Sequence, residues 1–255
     1  SLGNTHQDGI ISSTGMDRYN VKVSADTKLT NNWSSGFTAN YITTSIDKAV
    51  TSGNGLLRTV YAAPPSYDLA GIPSHVDGNQ YTQNSFRGSF DNAYWAMDNN
   101  KFTEDTNRFF GNVYASYQTD FGTTNHKLNA KYMVGVDAYT THYVDSYGYG
   151  SNTGGGRGQI ENYGWTNATY NSLLTINYDW HINEDWGLNA VLGNEIIQSN
   201  RKKYYEYGTN YNFPGWNHIN NATTQQTEEE TWKNRTVGFF GNVSASYKNM
   251  LYLTL

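Results

Sequence analysis

FFGNVYASY at positions 109–117 and FFGNVSASY at positions 239–247 are the same nine residues with one change. In an extended chain successive side chains point to opposite faces. Phe109, Gly111, Val113, Ala115 and Tyr117 therefore share one face, and Phe110, Asn112, Tyr114 and Ser116 the other. The second copy places Phe239, Gly241, Val243, Ala245 and Tyr247 against Phe240, Asn242, Ser244 and Ser246. One row is apolar and ends in an aromatic ring, and the other is mostly polar. Each copy reads as a half-buried strand.

The pattern extends outward from both copies. Positions 16–29 alternate Tyr19, Val21, Val23, Ala25 and Leu29 with polar residues, turn at 30–32, and return over 33–44 with Trp33, Phe37, Ala39 and Tyr41 in register. Positions 108–121 turn through 122–126 into 127–140, where Leu128, Ala130, Tyr132, Val134, Val136 and Ala138 share a face. A third hairpin runs over 169–182, turns at 183–185 and returns over 186–197. The last begins at 237, turns at Lys248 and Asn249 and continues to Leu255. Between these pairs, 45–107, 141–168 and 198–236 lack a sustained period and read as long loops; Pro64, Pro65 and Pro73 fall in the first.

Two properties decide the architecture. The alternating segments run about 11 to 14 residues, longer than the roughly 5 or 6 usual in soluble sheets and enough for the roughly 9 to 11 that cross a bilayer. Connections also alternate strictly between short turns and long loops. This predicts an all-β, antiparallel, up-and-down transmembrane β-barrel segment with short periplasmic turns and long extracellular loops. Trp33, Phe121, Trp180 and Trp186 sit beside the short turns, as an interfacial girdle requires. A soluble β-sandwich is the alternative that alternation alone leaves open.

Composition limits the function. The chain has 255 residues, 37% hydrophobic, 15% aromatic with 22 Tyr, and no Cys; its mean hydropathy is -0.71. The net charge of -5 has no basic block, so nucleic acid is not an expected partner. Without Cys there is no disulfide framework or thiolate metal site. His6, His75, His126, His142, His181 and His218 show no ligand spacing, so no metal or cofactor is expected. GGGRG at 154–158 lacks the Lys and Ser/Thr of a phosphate cradle and reads as loop. Glu228, Glu229 and Glu230 read as a solvated cluster, because consecutive residues do not all face one ion. Glu195 and Asp179 on neighbouring polar faces permit a glycosidase-type acid/base pair, but a hydrogen-bonding role fits a wet interior better. No enzyme activity is expected. The aromatics of the long loops are candidates for contacting a ligand or a lid protein: Tyr94, Trp95, Tyr147, Trp165, Tyr205, Tyr211 and Trp216.

QDGIISSTGMDRYNVKVSADTKL (7–29), NGLLRTVYAAPPSYD (54–68), the pair RFFGNVYASY and GFFGNVSASY, and the ending YKNMLYLTL resemble the barrel region of SusC/RagA-type TonB-dependent outer-membrane transporters. The resemblance covers most of the chain, through the order and spacing of several degenerate pieces. It implies a barrel of about 22 strands closed by a plug, energised by TonB, paired with a SusD-like surface lipoprotein, and importing glycans or peptides across the bacterial outer membrane. The chain shows no signal peptide, TonB box or plug, and holds seven full strands with the start of an eighth. The expectation is a partial barrel, residues 1–255, of a larger transporter. An outer-membrane adhesin and a secreted carbohydrate-binding β protein are the alternatives.

Overall fold

The computed structural model describes residues 1–50, 56–122, 125–248 and 250–255; the turn positions Thr123, Thr124 and Asn249 lie outside them. Eleven strands and two short helices follow in chain order: β1 (Leu2–Asp8), β2 (Gly15–Lys28), β3 (Trp33–Lys48), α1 (Leu56–Ala62), β4 (His75–Val76), β5 (Asn79–Gln83), α2 (Ala93–Asn99), β6 (Lys101–Phe121), β7 (His126–Tyr147), β8 (Gln159–His181), β9 (Trp186–Tyr211), β10 (Ala222–Tyr247) and β11 (Leu251–Thr254). All but β4 and β5 form one sheet in the order β1-β2-β3-β6-β7-β8-β9-β10-β11. Each strand is antiparallel to its neighbour. This is an up-and-down β-barrel segment. The two nonapeptides lie in β6 and β10.

One face of the sheet carries the large exposed apolar side chains: Tyr19, Val21 and Val23 on β2, Phe37 and Tyr41 on β3, Phe109 and Val113 on β6, with the same parity continuing through Val134, Tyr170, Leu174, Ile176, Leu192, Val237 and Val243. Among the described residues the only other sheet is the β4-β5 hairpin. Among the described residues no second layer covers the apolar face, so these residues form one continuous sheet and not a two-sheet sandwich. Trp33, Phe121, Trp180 and Trp186 all lie on this face at the short-turn end. Trp33 packs on Tyr117 with ring centroids 5.0 Å apart, and Trp186 on Tyr247 at 4.7 Å. Among the described residues no helix is long and apolar enough to cross a membrane, which leaves crossing by strands untouched.

The strands are much longer than the sequence pattern implies, at 21, 22, 23, 26 and 26 residues for β6 to β10. The reading of 45–107, 141–168 and 198–236 as loops is therefore corrected. β3 continues to Lys48 and β6 begins at Lys101, while the other two connections shrink to 148–158 and 212–221. The physical reason is that above the apolar band both faces of the sheet become polar or tyrosine-rich. Apolar/polar alternation vanishes there, while the backbone ladder and the Thr and Tyr cross-strand pairs persist.

The glycine run is a built turn. Gly155, Gly156 and Gly158 all have positive φ, and a Cβ on Gly158 would run into the Tyr211 ring. That turn is welded to the 79–100 segment by Asp91, which accepts from Ser151 Oγ at 2.6 Å, Asn152 N at 2.6 Å and Gln83 Nε2 at 2.8 Å. Asn92 next to it caps α2, accepting from the amides of Tyr94 and Trp95. The buried hydrophobic residues, Trp95, Phe90, Ile160 and Tyr211 among them, gather at this long-loop end. Asp91→Ala strands three donors at once and should loosen this cap by on the order of 3 kcal/mol. Hydrogen exchange should accelerate at 79–100 and 148–158 while the lower halves of β6 to β9 stay protected; uniform protection at both ends would refute the weld.

Candidate ligand-binding wall

Above the apolar band, the face opposite to it is built in rows that the register fixes. Glu104 on β6, Tyr143 on β7, Tyr163 on β8, Tyr205 on β9 and Glu228 on β10 stand directly beside one another. The row above reads Phe102, Asp145, Glu161, Tyr207 and Gln226, and the row below Thr106, Thr141, Trp165, Lys203 and Glu230. Aromatic residues in directly opposed positions stabilise the pairing by about 0.2 to 1 kcal/mol each, so the rows also help to hold the strands.

The rings form a continuous surface. Tyr143 and Tyr163 stack with centroids 4.8 Å apart and planes 7° off parallel. Trp165 tilts onto Tyr143 at 5.7 Å, Tyr205 onto Tyr163 at 6.4 Å, and Tyr207 lies parallel to Tyr205 at 6.5 Å. Carboxylates thread between them. Tyr163 Oη donates to Asp145 Oδ2 at 3.0 Å, Glu104 is the cross-strand partner of Tyr143, and Glu161 lies diagonal to Tyr205. Burial first, and then the neighbouring carboxylates, hold the Tyr163 phenol well above its ordinary range and push Tyr205 up to about 12. Burial raises the Glu161 carboxyl, with Asp145 adding to the shift and the Tyr205 hydrogen bond opposing it. A cavity of about 320 Å³ opens at the top of this wall, lined by Lys48, Phe102, Asp145, Tyr147, Glu161 and Tyr163 among others; that is room for a ligand side chain.

One cation already uses the wall. Lys48 Nζ sits 4.5 Å from the centroid of the Tyr143 ring and 3.5 Å from Glu104 Oε2. Lower down, the Arg201 guanidinium lies 5.1 Å from Trp165 and 5.6 Å from Trp232.

The structure sorts the sequence candidates. Tyr147, Trp165 and Tyr205 come together on this wall, on strands rather than loops. Trp95 is 0% exposed and donates from Nε1 to Gln80 O at 2.8 Å, and Tyr211 is 0% exposed in a cluster with Ile160 and Ala222. Both are packing residues, because the cap folds over them, and neither is available to a ligand. Tyr94 is exposed on α2. Trp216 is exposed between Phe213 and His218, stacked at 5.8 and 5.1 Å, on a loop that Asn221 holds by donating to Phe213 O and Trp216 O. Tyr163 and the carboxylates Glu104, Asp145 and Glu161 escaped sequence reasoning, and Glu228 was read only as part of a solvated acidic cluster. Period-two counting carried upward from Val136 and Ile176 would have put them on one face.

The other chemical readings resolve as hydrogen bonding. Asp179 is paired with Asn189, about six residues and roughly 20 Å along β9 from Glu195, so the two cannot act on one bond. Asp179 accepts instead from Asn177 at 2.8 Å and Asn189 at 2.6 Å. Glu229 points to the face opposite Glu228 and Glu230 and pairs with Lys202 at 2.7 Å. Among the described residues no three His, Asp or Glu side chains converge as a metal requires.

No family model matches the chain, and no curated protein matches it in sequence. Among solved structures its fold is similar to the RagAB peptide transporter, with a TM-score of 0.73 and 12% identity over 94% of this chain and 27% of that chain. The RagAB peptide importer in its closed-closed state gives a TM-score of 0.75 at 14% identity, covering 99% of this chain and 28% of that one. The open-open state gives 0.75 at 12% identity with the same coverage, 99% and 28%. At these identities the likeness is one of fold. The chain spans little more than a quarter of the length of those chains.

The division between wall and packing residues has a direct check. Trp95→Ala should cost roughly 3 to 5 kcal/mol of cap stability, and Tyr94→Ala less than about 0.5 kcal/mol, read by thermal denaturation followed through near-ultraviolet circular dichroism. Equal melting of the two variants would return Trp95 to the ligand candidates.

Proposed function

We propose that the chain is part of the barrel wall of a bacterial outer-membrane importer, non-enzymatic, whose cargo passes along the polar face. The observation that supports this reading is the division of each long strand into two zones. Over the lower zone, Tyr170 to Trp180 on β8 for example, one face is apolar and edged by Trp and Tyr. About ten residue steps of 3.3 Å at a tilt near 40° make that zone roughly 25 Å tall, the height of the apolar band of a membrane barrel. Over the upper zone, both faces are polar or tyrosine-rich for about another dozen residues, roughly 40 Å of chain. A strand of that design is covered by lipid below and stands in water above.

On this reading the apolar face is the outside, the short turns are periplasmic, and Trp33, Phe121, Trp180 and Trp186 form the periplasmic-side girdle. The 148–158 and 212–221 connections and the α1-α2 cap are extracellular. Neighbours of the same fold named for peptide transport favour peptide over glycan as cargo. A plug, TonB coupling and a SusD-like lipoprotein over the strand tops complete the mechanism that the family resemblance implies: capture at the outer vestibule, plug rearrangement, passage.

Spin labels at Val113 and Val243 in the full-length protein, reconstituted in bilayers, should relax with oxygen dissolved in lipid, and labels at Ser116 and Ser246 should not. Labels at the Val sites that sense no lipid would sink the membrane reading. Val113→Arg and Val243→Arg should each cost about 2 to 4 kcal/mol and cut outer-membrane assembly. Ser116→Arg and Ser246→Arg should be better tolerated.

A further inference from the structure

The tyrosine wall has a chemistry more specific than aromatic stacking. Its phenols stand among carboxylates: Tyr163 donates to Asp145, Tyr143 has Glu104 as its cross-strand partner, and Tyr205 lies diagonal to Glu161. The Tyr163 hydroxyl hydrogen is thereby consumed, and its ring, donating to an anion, becomes richer in electrons. Towards the interior the two upper rows present ring faces and the acceptor-only carboxylates of Glu104, Asp145, Glu161 and Glu228, with Tyr207 and Gln226 as the polar side chains beside them. A sugar hydroxyl is both donor and acceptor and needs both kinds of partner. An ammonium has three donors and no acceptor, a guanidinium five and none. With carboxylates outnumbering donors, the wall therefore matches a donor-only cation better than a polyol.

Charge agrees. In the two upper rows Glu104, Asp145, Glu161 and Glu228 face the single ammonium of Lys48. Lys48 shows how a cation sits there, over the Tyr143 ring at 4.5 Å with Glu104 beside it at 3.5 Å. The other face of the Tyr143 ring is stacked on Tyr163. The cavity over Asp145 and Glu161 has Lys48 on its rim and is of side-chain size, about 320 Å³.

We propose that this wall is a cation-selective subsite for cargo, binding the guanidinium or ammonium side chains of basic peptides between the tyrosine faces and Glu104, Asp145, Glu161 and Glu228, with Lys48 as a tethered competitor. That the ligand is cargo rests on the importer reading; that it is cationic rests on the wall alone. Burial raises the Glu161 carboxyl, and a cation entering the cavity supplies the solvation that carboxylate lacks.

The test is equilibrium binding to the purified full-length protein in detergent, by calorimetry. The probes are a nonapeptide containing three arginines, the same peptide with citrulline in their place, and a neutral maltooligosaccharide. The arginine peptide should bind about tenfold more tightly than the citrulline peptide, with the advantage shrinking as salt is raised. Glu161→Gln with Glu228→Gln keeps shape and hydrogen-bonding capacity and should bring the arginine-to-citrulline ratio close to one, with melting unchanged. Lys48→Gln vacates the Tyr143 face and should tighten arginine-peptide binding severalfold. Equal affinity for arginine and citrulline peptides, preference for the oligosaccharide, a ratio unaffected by the double variant, or weaker binding by Lys48→Gln would each overturn the cation subsite. If the Val113 and Val243 labels still sense lipid, the importer reading survives that outcome; if cation selectivity holds while the labels sense no lipid, the subsite survives and the importer does not.

Discussion

Continuity of register is the constraint on which the rest of the structure depends. β6 pairs with β7 from Lys101 opposite Ser146 to Phe121 opposite His126 without a slip, and β7 with β8 from His126 opposite Trp180 to Tyr147 opposite Gln159. Because side chains alternate with a period of two, one inserted residue would exchange the faces from that point upward. The Val and Ala residues of the lower zone thus decide where Tyr143, Tyr163 and Tyr205 point far above them. The apolar row fixes the face at the bottom, and the ladder transmits that choice to the top, where no hydrophobic pattern would have made it.

This explains how much the sequence showed. The lower zone was legible because Val113, Val134, Ile176 and Val243 stand in phase with Ser, Asn and Lys, and because short turns such as Asn183 to Asp185 punctuate it. The upper zone was illegible to the same method because Thr141, His142, Tyr143 and Thr166, Trp165, Tyr163 put polar or amphipathic side chains on both faces. Strand propensity remained in the Thr and Tyr content, but a count of apolar alternation does not register it. Trp95 and Tyr211 were misjudged for a different reason. Composition reports that a ring lies in a connection, not whether the connection folds over it, and here Asp91 and Asn92 close the cap through contacts separated by up to 61 residues.

The twin nonapeptides are also clearer in the sheet than in the string. They lie in β6 and β10, which are not neighbours, so they do not pair with each other. Each instead covers a glycine of the strand beside it on the polar face. Tyr114 in the first copy stands opposite Gly36 with its ring over the position a Cβ would take, and Phe240 in the second stands over Gly193 in the same way. An aromatic ring over a cross-strand glycine restores packing where the strand lacks a side chain. The single difference between the copies, Tyr114 against Ser244, lies where the opposing residue also differs: Tyr114 faces Gly36, whereas Ser244 faces Asn189 and the glycine of that pair of strands lies opposite Phe240 instead.

Placing the recognition surface on strands rather than on loops has an energetic consequence. A binding loop loses conformational freedom when it closes on a ligand, at about 1 to 2 kcal/mol for each residue that becomes fixed. The Tyr143, Tyr163 and Tyr205 backbones are already fixed by ladders on both sides, and their rings by stacking, with the Tyr163 phenol also bonded to Asp145. Ordering those rings was therefore completed during folding, and a ligand meets a surface that need not rearrange. The same rigidity limits the range of ligands. A wall that cannot repack discriminates by the charges and acceptors it already holds, so on the proposed reading its selectivity is set by Asp145 and Glu161 rather than by the adaptable connections above them.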